Sequence, residues 1–100
     1  NAQLSELGQK RLNKLINDLN NAPDKVSLQI IGFTDSIGSA TYNKLLSIQR
    51  AKTVSNYLNL NNLEVKEMIV LGKGENQPVA SNQFEKGRQK NRRVEITIYD

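Results

Sequence analysis

Leu12, Leu15, Ile16 and Leu19 recur at helical spacing, with Leu4 and Leu7 one or two turns earlier. This pattern predicts an amphipathic helix over residues 5–20. The run Asn20-Asn21-Ala22-Pro23-Asp24 closes it, since Asn favours caps and Pro cannot continue a helix. From Val26 the period changes to two. Val26, Leu28 and Ile30 alternate with Ser27 and Gln29, and Ile31 and Phe33 follow, the pattern of a largely buried strand. The strand runs into Gly32-Phe33-Thr34-Asp35-Ser36-Ile37-Gly38, where two glycines bracket a Thr-Asp pair in a tight loop. A second helix is expected over residues 41–59, with Tyr42, Leu45, Leu46, Val54 and Leu58 as its apolar face and Ala51 allowing close packing. Met68-Ile69-Val70-Leu71 reads as a short strand ending in Gly72-Lys73-Gly74-Glu75. Residues 76–93 read as a long polar loop, and Val94, Ile96 and Ile98 alternate with Glu95, Thr97 and Tyr99 in a final half-buried strand.

The order helix, strand, helix, strand, loop, strand implies an α+β chain with helices packed on one mixed sheet. A helical crossover would pair the first two strands in parallel. A length of 100 residues suits a single domain spanning 1–100 with a modest core. There is no internal repeat, and no apolar run approaches the roughly 20 residues needed to cross a bilayer. The chain begins at Asn1 rather than Met, which fits a fragment or mature form whose targeting segment or anchor lies upstream.

The absence of His and Cys removes the usual ligands of transition metals, the usual neutral-pH base and the Cys nucleophile. No nucleophile–base pair is marked, so neither catalysis nor a cofactor is expected. Asp35 and Glu75 are the one carboxylate pair with a glycosidase-like reading. A net charge of +4 and a pI near 9.5 fit an anionic or zwitterionic partner, or solubility alone.

Three places carry candidate chemistry. Asp35 sits just past a strand end and beside a helix start, where ligands of open sheets collect; a turn or cap role fits the same residues. Arg50 lies four residues after Leu46 and four before Val54, so it shares an apolar helix face and needs a partner. It fits equally a structural ion pair with Asp35 or a ligand site. The stretch Gly87-Arg88-Gln89-Lys90-Asn91-Arg92-Arg93 is a candidate nucleic-acid patch by charge, but only Phe84 is near it as an aromatic for base stacking.

Two long segments carry a family resemblance. Gly32-Phe33-Thr34-Asp35-Ser36-Ile37-Gly38 with Tyr42-Asn43-Lys44-Leu45-Leu46-Ser47-Ile48-Gln49-Arg50-Ala51 resembles the G-x-T-D-x-x-G…Y-N-x-x-L-S-x-x-R-A signature of OmpA-like C-terminal domains. Gly72-Lys73-Gly74-Glu75…Pro78…Asn82…Gly87-Arg88…Asn91-Arg92-Arg93-Val94-Glu95-Ile96 is similar to that family's second signature. The resemblance implies a βαβαββ-type two-layer sandwich whose first strand, ahead of the first helix, is missing or trimmed here. It also implies a domain of the periplasm of Gram-negative bacteria, found in outer-membrane barrels, lipoproteins and flagellar stator subunits. Such a domain binds peptidoglycan non-covalently through the meso-diaminopimelate of the stem peptide and anchors the outer membrane or an envelope complex to the wall.

On this resemblance Asp35 takes the ligand's ammonium and Arg50 its carboxylate, a match of charge and of the bidentate guanidinium fork. Asn43 stands at the rim, Thr34 and Leu46 form walls, and one of Arg92 and Arg93 reaches the pocket, Arg93 being the one the family pattern favours. Strand alternation argues the other way for Arg93, because Val94 and Ile96 face the core. The empty pocket is expected to rest as an Asp35–Arg50 pair. No nucleic acid is expected as a partner, and a membrane only through a segment outside this chain. The alternatives are a protein-binding adaptor with a structural Asp35–Arg50 pair, and a nucleic-acid binder using residues 87–93.

Overall fold

In the computed structural model, which describes residues 4–100, the elements are α1 (Glu6–Asn20), β1 (Ser27–Gly32), α2 (Ala40–Leu60), β2 (Glu67–Gly72), α3 (Glu85–Asn91) and β3 (Val94–Tyr99). Ser5 starts α1 by accepting the Gly8 N–H at 3.0 Å, and Ser39 starts α2 by accepting the Tyr42 N–H at 3.1 Å. Each satisfies one of the amides that a helix leaves unpaired in its first turn.

The strands form one sheet in the order β2-β1-β3, with β1 and β2 parallel and β1 and β3 antiparallel. The expected crossover is therefore β1-α2-β2. Leu28 faces Met68 and Ile98 across the sheet, and Ile30 faces Val70 and Ile96. Leu28, Ile30, Ala51 and Leu58 have no exposed surface, and Leu12, Ile16 and Val54 complete the buried cluster beneath the two long helices. The family's strand ahead of the first helix lies outside the described residues.

Two expectations are corrected. Tyr42 and Leu45 are 60% and 58% exposed rather than on the packed face of α2. The buried face is Asn43, Ser47, Ala51, Val54, Ser55 and Leu58, spaced at helical intervals but half polar. Ser47 is accommodated because its hydroxyl donates to the Lys44 carbonyl at 2.7 Å and accepts the Gly74 N–H at 2.9 Å. Close approach also sets this face: a Cβ on Gly32 would collide with the Ser47 carbonyl, and one on Gly72 with the Ile48 amide. Helix α2 thus lies almost backbone-to-backbone on the carboxyl ends of β1 and β2.

The second correction concerns residues 76–93, which are not a featureless loop. They contain α3 and a turn organised by Asn91, a fully buried side chain. Its Oδ1 accepts the N–H groups of Val79 at 2.8 Å and Ala80 at 3.1 Å, while its Nδ2 donates to the Ala80 carbonyl at 3.0 Å and Asn82 Oδ1 at 2.8 Å. Gly87 lets α3 press onto the Ser81 carbonyl, where any Cβ would clash.

Candidate functional site

The segment after β1 continues the sheet for a few residues before turning. Phe33 N–H donates to the Arg93 carbonyl at 2.8 Å and Thr34 N–H to the Gly74 carbonyl at 2.8 Å. Thr34 is buried, and its hydroxyl donates to the Asp35 carbonyl at 2.8 Å. Asp35 is thereby fixed at the carboxyl edge of the sheet, the place where open sheets hold ligands.

The Asp35 carboxylate has two partners. Oδ1 accepts the Ile37 N–H at 2.9 Å, closing the loop on itself, and Oδ2 accepts Arg92 Nη1 at 2.6 Å. Burial pushes the Asp35 carboxyl up, but the bonds from Arg92 and Ile37 and the charges of Arg92 and Arg50 outweigh it, so the pKa lies below its ordinary value. Burial lowers the Arg50 pKa, an effect opposed by Asp35; a guanidinium nonetheless keeps its charge throughout the working pH range. Asn43 is buried and donates from Nδ2 to the Asp35 carbonyl at 3.3 Å and to Glu75 Oε1 at 3.1 Å, so it ties the two loops together. Leu46 is half-buried, one turn before Arg50.

Arg50 is close enough to feel Asp35 electrostatically, but its Nη1 donates to the Phe33 carbonyl at 3.1 Å. The resting ion pair is therefore Asp35–Arg92, and the expected Asp35–Arg50 pair is not formed. The geometric reason is that Arg50, reaching back along α2, meets the end of β1 before it meets the loop. A single guanidinium bond to a carbonyl leaves the other N–H groups of Arg50 for a ligand.

Of the two arginines weighed for the pocket, Arg92 reaches Asp35 and the favoured Arg93 does not. The Arg93 guanidinium lies 3.8 Å from the centroid of the Phe33 ring, and it donates to Glu95 Oε2 at 2.7 Å and to the Gln77 carbonyl at 3.0 Å. Val94 packs against the helices, so its predecessor faces the opposite side of the sheet, as strand alternation requires. Arg92 ends α3 with φ −80° and ψ 89°, a turn that carries its side chain to Asp35 instead. Its Nη2 donates to Glu85 Oε2 at 2.7 Å, and Glu85 also accepts from Arg88 Nε at 3.3 Å. The hydrogen bond to Glu85, then that to Asp35, push the Arg92 pKa up.

The sequence pattern missed Glu85, and favoured Arg93 over Arg92, because α3 itself was missed. Once residues 85–91 are helical, Glu85 and Arg88 share a face one turn apart. The basic stretch is then largely committed: Arg88 to Glu85 and the Asn82 carbonyl, Arg92 to Glu85 and Asp35, and Arg93 to Glu95 and Phe33. Among the described residues, no group of three or more acidic side chains could hold a metal ion, and no helix is long and apolar enough to cross a membrane.

Comparison with known proteins matches residues 1–92 to the OmpA family. The chain belongs to that family. Outer membrane protein A of Bordetella avium is 43% identical over 77 residues, covering 77% of this chain and 40% of that protein. Peptidoglycan-binding protein ArfA of Mycobacterium tuberculosis is 41% identical over 87 residues, covering 87% of this chain and 26% of that protein. This OmpA family chain thus spans less than half of either relative. Among solved structures, the peptidoglycan-associated lipoprotein of Burkholderia pseudomallei superposes with a TM-score of 0.89 at 26% identity, covering 98% of this chain and 82% of that one.

Proposed function

We propose that this OmpA family domain, residues 1–100, binds peptidoglycan non-covalently and anchors an envelope protein to the cell wall. The stem peptide's meso-diaminopimelate would be its ligand. The observation that carries this reading is the buried Asp35 carboxylate, fixed by the Ile37 amide and lying between the guanidinium groups of Arg92 and Arg50. The far end of meso-diaminopimelate bears an ammonium and a carboxylate on one carbon. The ammonium pairs with Asp35. The carboxylate takes the open N–H groups of Arg50 and competes for Arg92. Thr34, Asn43 and Leu46 shape the wall. The names of the mycobacterial and Burkholderia relatives support the wall as partner, and the outer-membrane relative supports an envelope location, periplasmic and attached to the outer membrane.

A binding role rather than catalysis fits the site, because each carboxylate there is held by amides or guanidinium groups. Two or three charge-assisted bonds of about 1.5–3 kcal/mol each give a single-site Kd between roughly millimolar and micromolar. The test is an NMR titration with a meso-diaminopimelate stem peptide beside its Lys counterpart, which lacks the far carboxylate. Saturable shifts at Asp35, Asn43 and Arg50 amides with the first peptide alone, abolished by Arg50→Ala, are expected. Equal response to both peptides would sink the assignment. The protein-adaptor alternative rests on the exposed Ile37, Tyr42 and Leu45 beside the loop, and predicts no response to either peptide.

A further inference from the structure

We infer that Glu85 is a built-in competitor for the ligand's carboxylate, and that it sets how strongly the site prefers a carboxylate over a carboxamide. The inference rests on the proposed diaminopimelate reading and adds a residue and a selectivity to it. Its basis is the division of one guanidinium between two carboxylates of the protein. Arg92 gives Nη1 to Asp35 at 2.6 Å and Nη2 to Glu85 at 2.7 Å. The two acceptors differ in surroundings: the Asp35 side chain is 11% exposed and that of Glu85 65%. The inner carboxylate is fixed. The outer one is a solvated side chain on the first turn of α3, steadied by Arg88 at 3.3 Å.

A zwitterionic head with its ammonium on Asp35 brings its own carboxylate into reach of Arg50 and Arg92. The oxygen of Glu85 already occupies the Nη2 position that such a carboxylate would use, with the same charge and the same donor. Binding then requires Glu85 to yield, and the negative charge it keeps nearby opposes the incoming one. A ligand whose carboxylate is replaced by a neutral carboxamide neither displaces Glu85 effectively nor suffers its repulsion. Glu85 therefore weakens the carboxylate ligand selectively and narrows the gap between the two. Since Glu85 is exposed, solvent and salt screen the effect to a few-fold.

The experiment compares the wild-type domain with Glu85→Gln, which keeps the length and hydrogen-bonding capacity of the side chain while removing its charge. Each protein is titrated, at low and at high salt, with two stem peptides that differ only in a free or an amidated far carboxyl of diaminopimelate. Asp18→Asn, an exposed charge change on α1, controls for net charge. Glu85→Gln is expected to bind the free-carboxyl peptide about two- to fivefold more tightly at low salt, with the gain shrinking at high salt and absent for the amidated peptide. Equal gains for both peptides, the same gain in Asp18→Asn, or unchanged or weaker binding in Glu85→Gln would each overturn the inference while leaving the binding function standing. If the wild-type domain binds neither peptide, the diaminopimelate reading falls and the inference falls with it.

Discussion

The charge of Asp35 is maintained by a balance that acid can shift. Burial favours the neutral form, but Arg92, the Ile37 amide and Arg50 together favour the anion, so the folded-state pKa lies below that of the unfolded chain. As pH falls, the unfolded chain takes the proton first. The stability due to Asp35 is thus complete above its ordinary pKa of about 3.9 and is lost as pH drops from there through the depressed folded value. Asp35→Asn keeps an oxygen for the Ile37 amide and removes the charge facing Arg92. Its urea midpoint should lie below that of wild type at pH 6, and the two should converge as the pH is lowered past about 3.9. A gap that stays constant down to the acid limit would mean that the pair adds nothing through its charge. Asn91 acts by hydrogen bonding alone. Removing it leaves the Val79 and Ala80 amides and the Ala80 carbonyl without partners in a half-buried turn. Asn91→Ala should cost about 2–4 kcal/mol in urea unfolding and should speed amide exchange in α3 before the sheet is affected.

The elements differ in how openly the sequence declares them, and the differences have physical reasons. The three strands and α1 follow from the spacing of their apolar residues, which in β1 are buried on both faces, Leu28 and Ile30 on one and Ile31 on the other. Helix α2 has the right extent but a misleading face. Its packing side is built from Asn43, Ser47 and Ser55 as much as from Ala51, Val54 and Leu58, while Tyr42 and Leu45 face solvent. Polar residues can line that side because their hydrogen bonds are met: Ser47 and Ser55 donate back to carbonyls of their own helix, Ser47 also accepts the Gly74 amide, and Asn43 donates to the Asp35 carbonyl and Glu75, tertiary facts that periodicity does not encode. Helix α3 is harder still: its seven residues, Glu85–Asn91, are six polar ones and a glycine, held by the Asn91 turn and by Gly87 rather than by an apolar stripe. Asp35, Asn43 and Arg50 were legible from the motif and do converge on one edge of the sheet. Glu85 was not, and the choice between Arg92 and Arg93 stayed open, because both Glu85 and Arg92 reach that edge only through α3. The closeness of α2 to β1 yields its own prediction. A methyl group at Gly32 must push the Ser47 carbonyl away, so Gly32→Ala should destabilise by about 1–3 kcal/mol. Because Phe33 and Asp35 follow directly, it should also weaken stem-peptide binding by more than a comparably destabilising change at Leu12, which lies far from the pocket in sequence and element. Thermal unfolding paired with the peptide titration separates the two effects.

At the scale of the whole molecule, the proposed site is small and the affinity expected of a single contact is low, yet the proposed partner is a polymer carrying the same headgroup many times. The domain measures 44 × 23 × 20 Å and the proposed site around Asp35 lies at one sheet edge, so one copy is expected to engage one stem peptide at a time. Retention on the wall must then come from tethering and repetition, since a second contact made by a linked copy occurs at an effective concentration up to the millimolar range. A tandem of two copies joined by a flexible Gly/Ser linker should bind the isolated stem peptide with unchanged affinity per site, yet sediment with purified peptidoglycan sacculi at concentrations about 10²-fold or more below those the single domain requires. Placing Arg50→Ala in one copy should return the tandem to single-domain behaviour, and placing it in both should abolish sedimentation. The net charge of +4 offers a competing explanation, general attraction to an anionic polymer. That attraction would be shared almost undiminished by the doubly substituted tandem and would fade as salt shortens the screening length to about 8 Å at physiological ionic strength. Sedimentation that survives both Arg50 substitutions would therefore assign wall retention to bulk charge, and sedimentation lost with them would assign it to the pocket, multiplied by the linker.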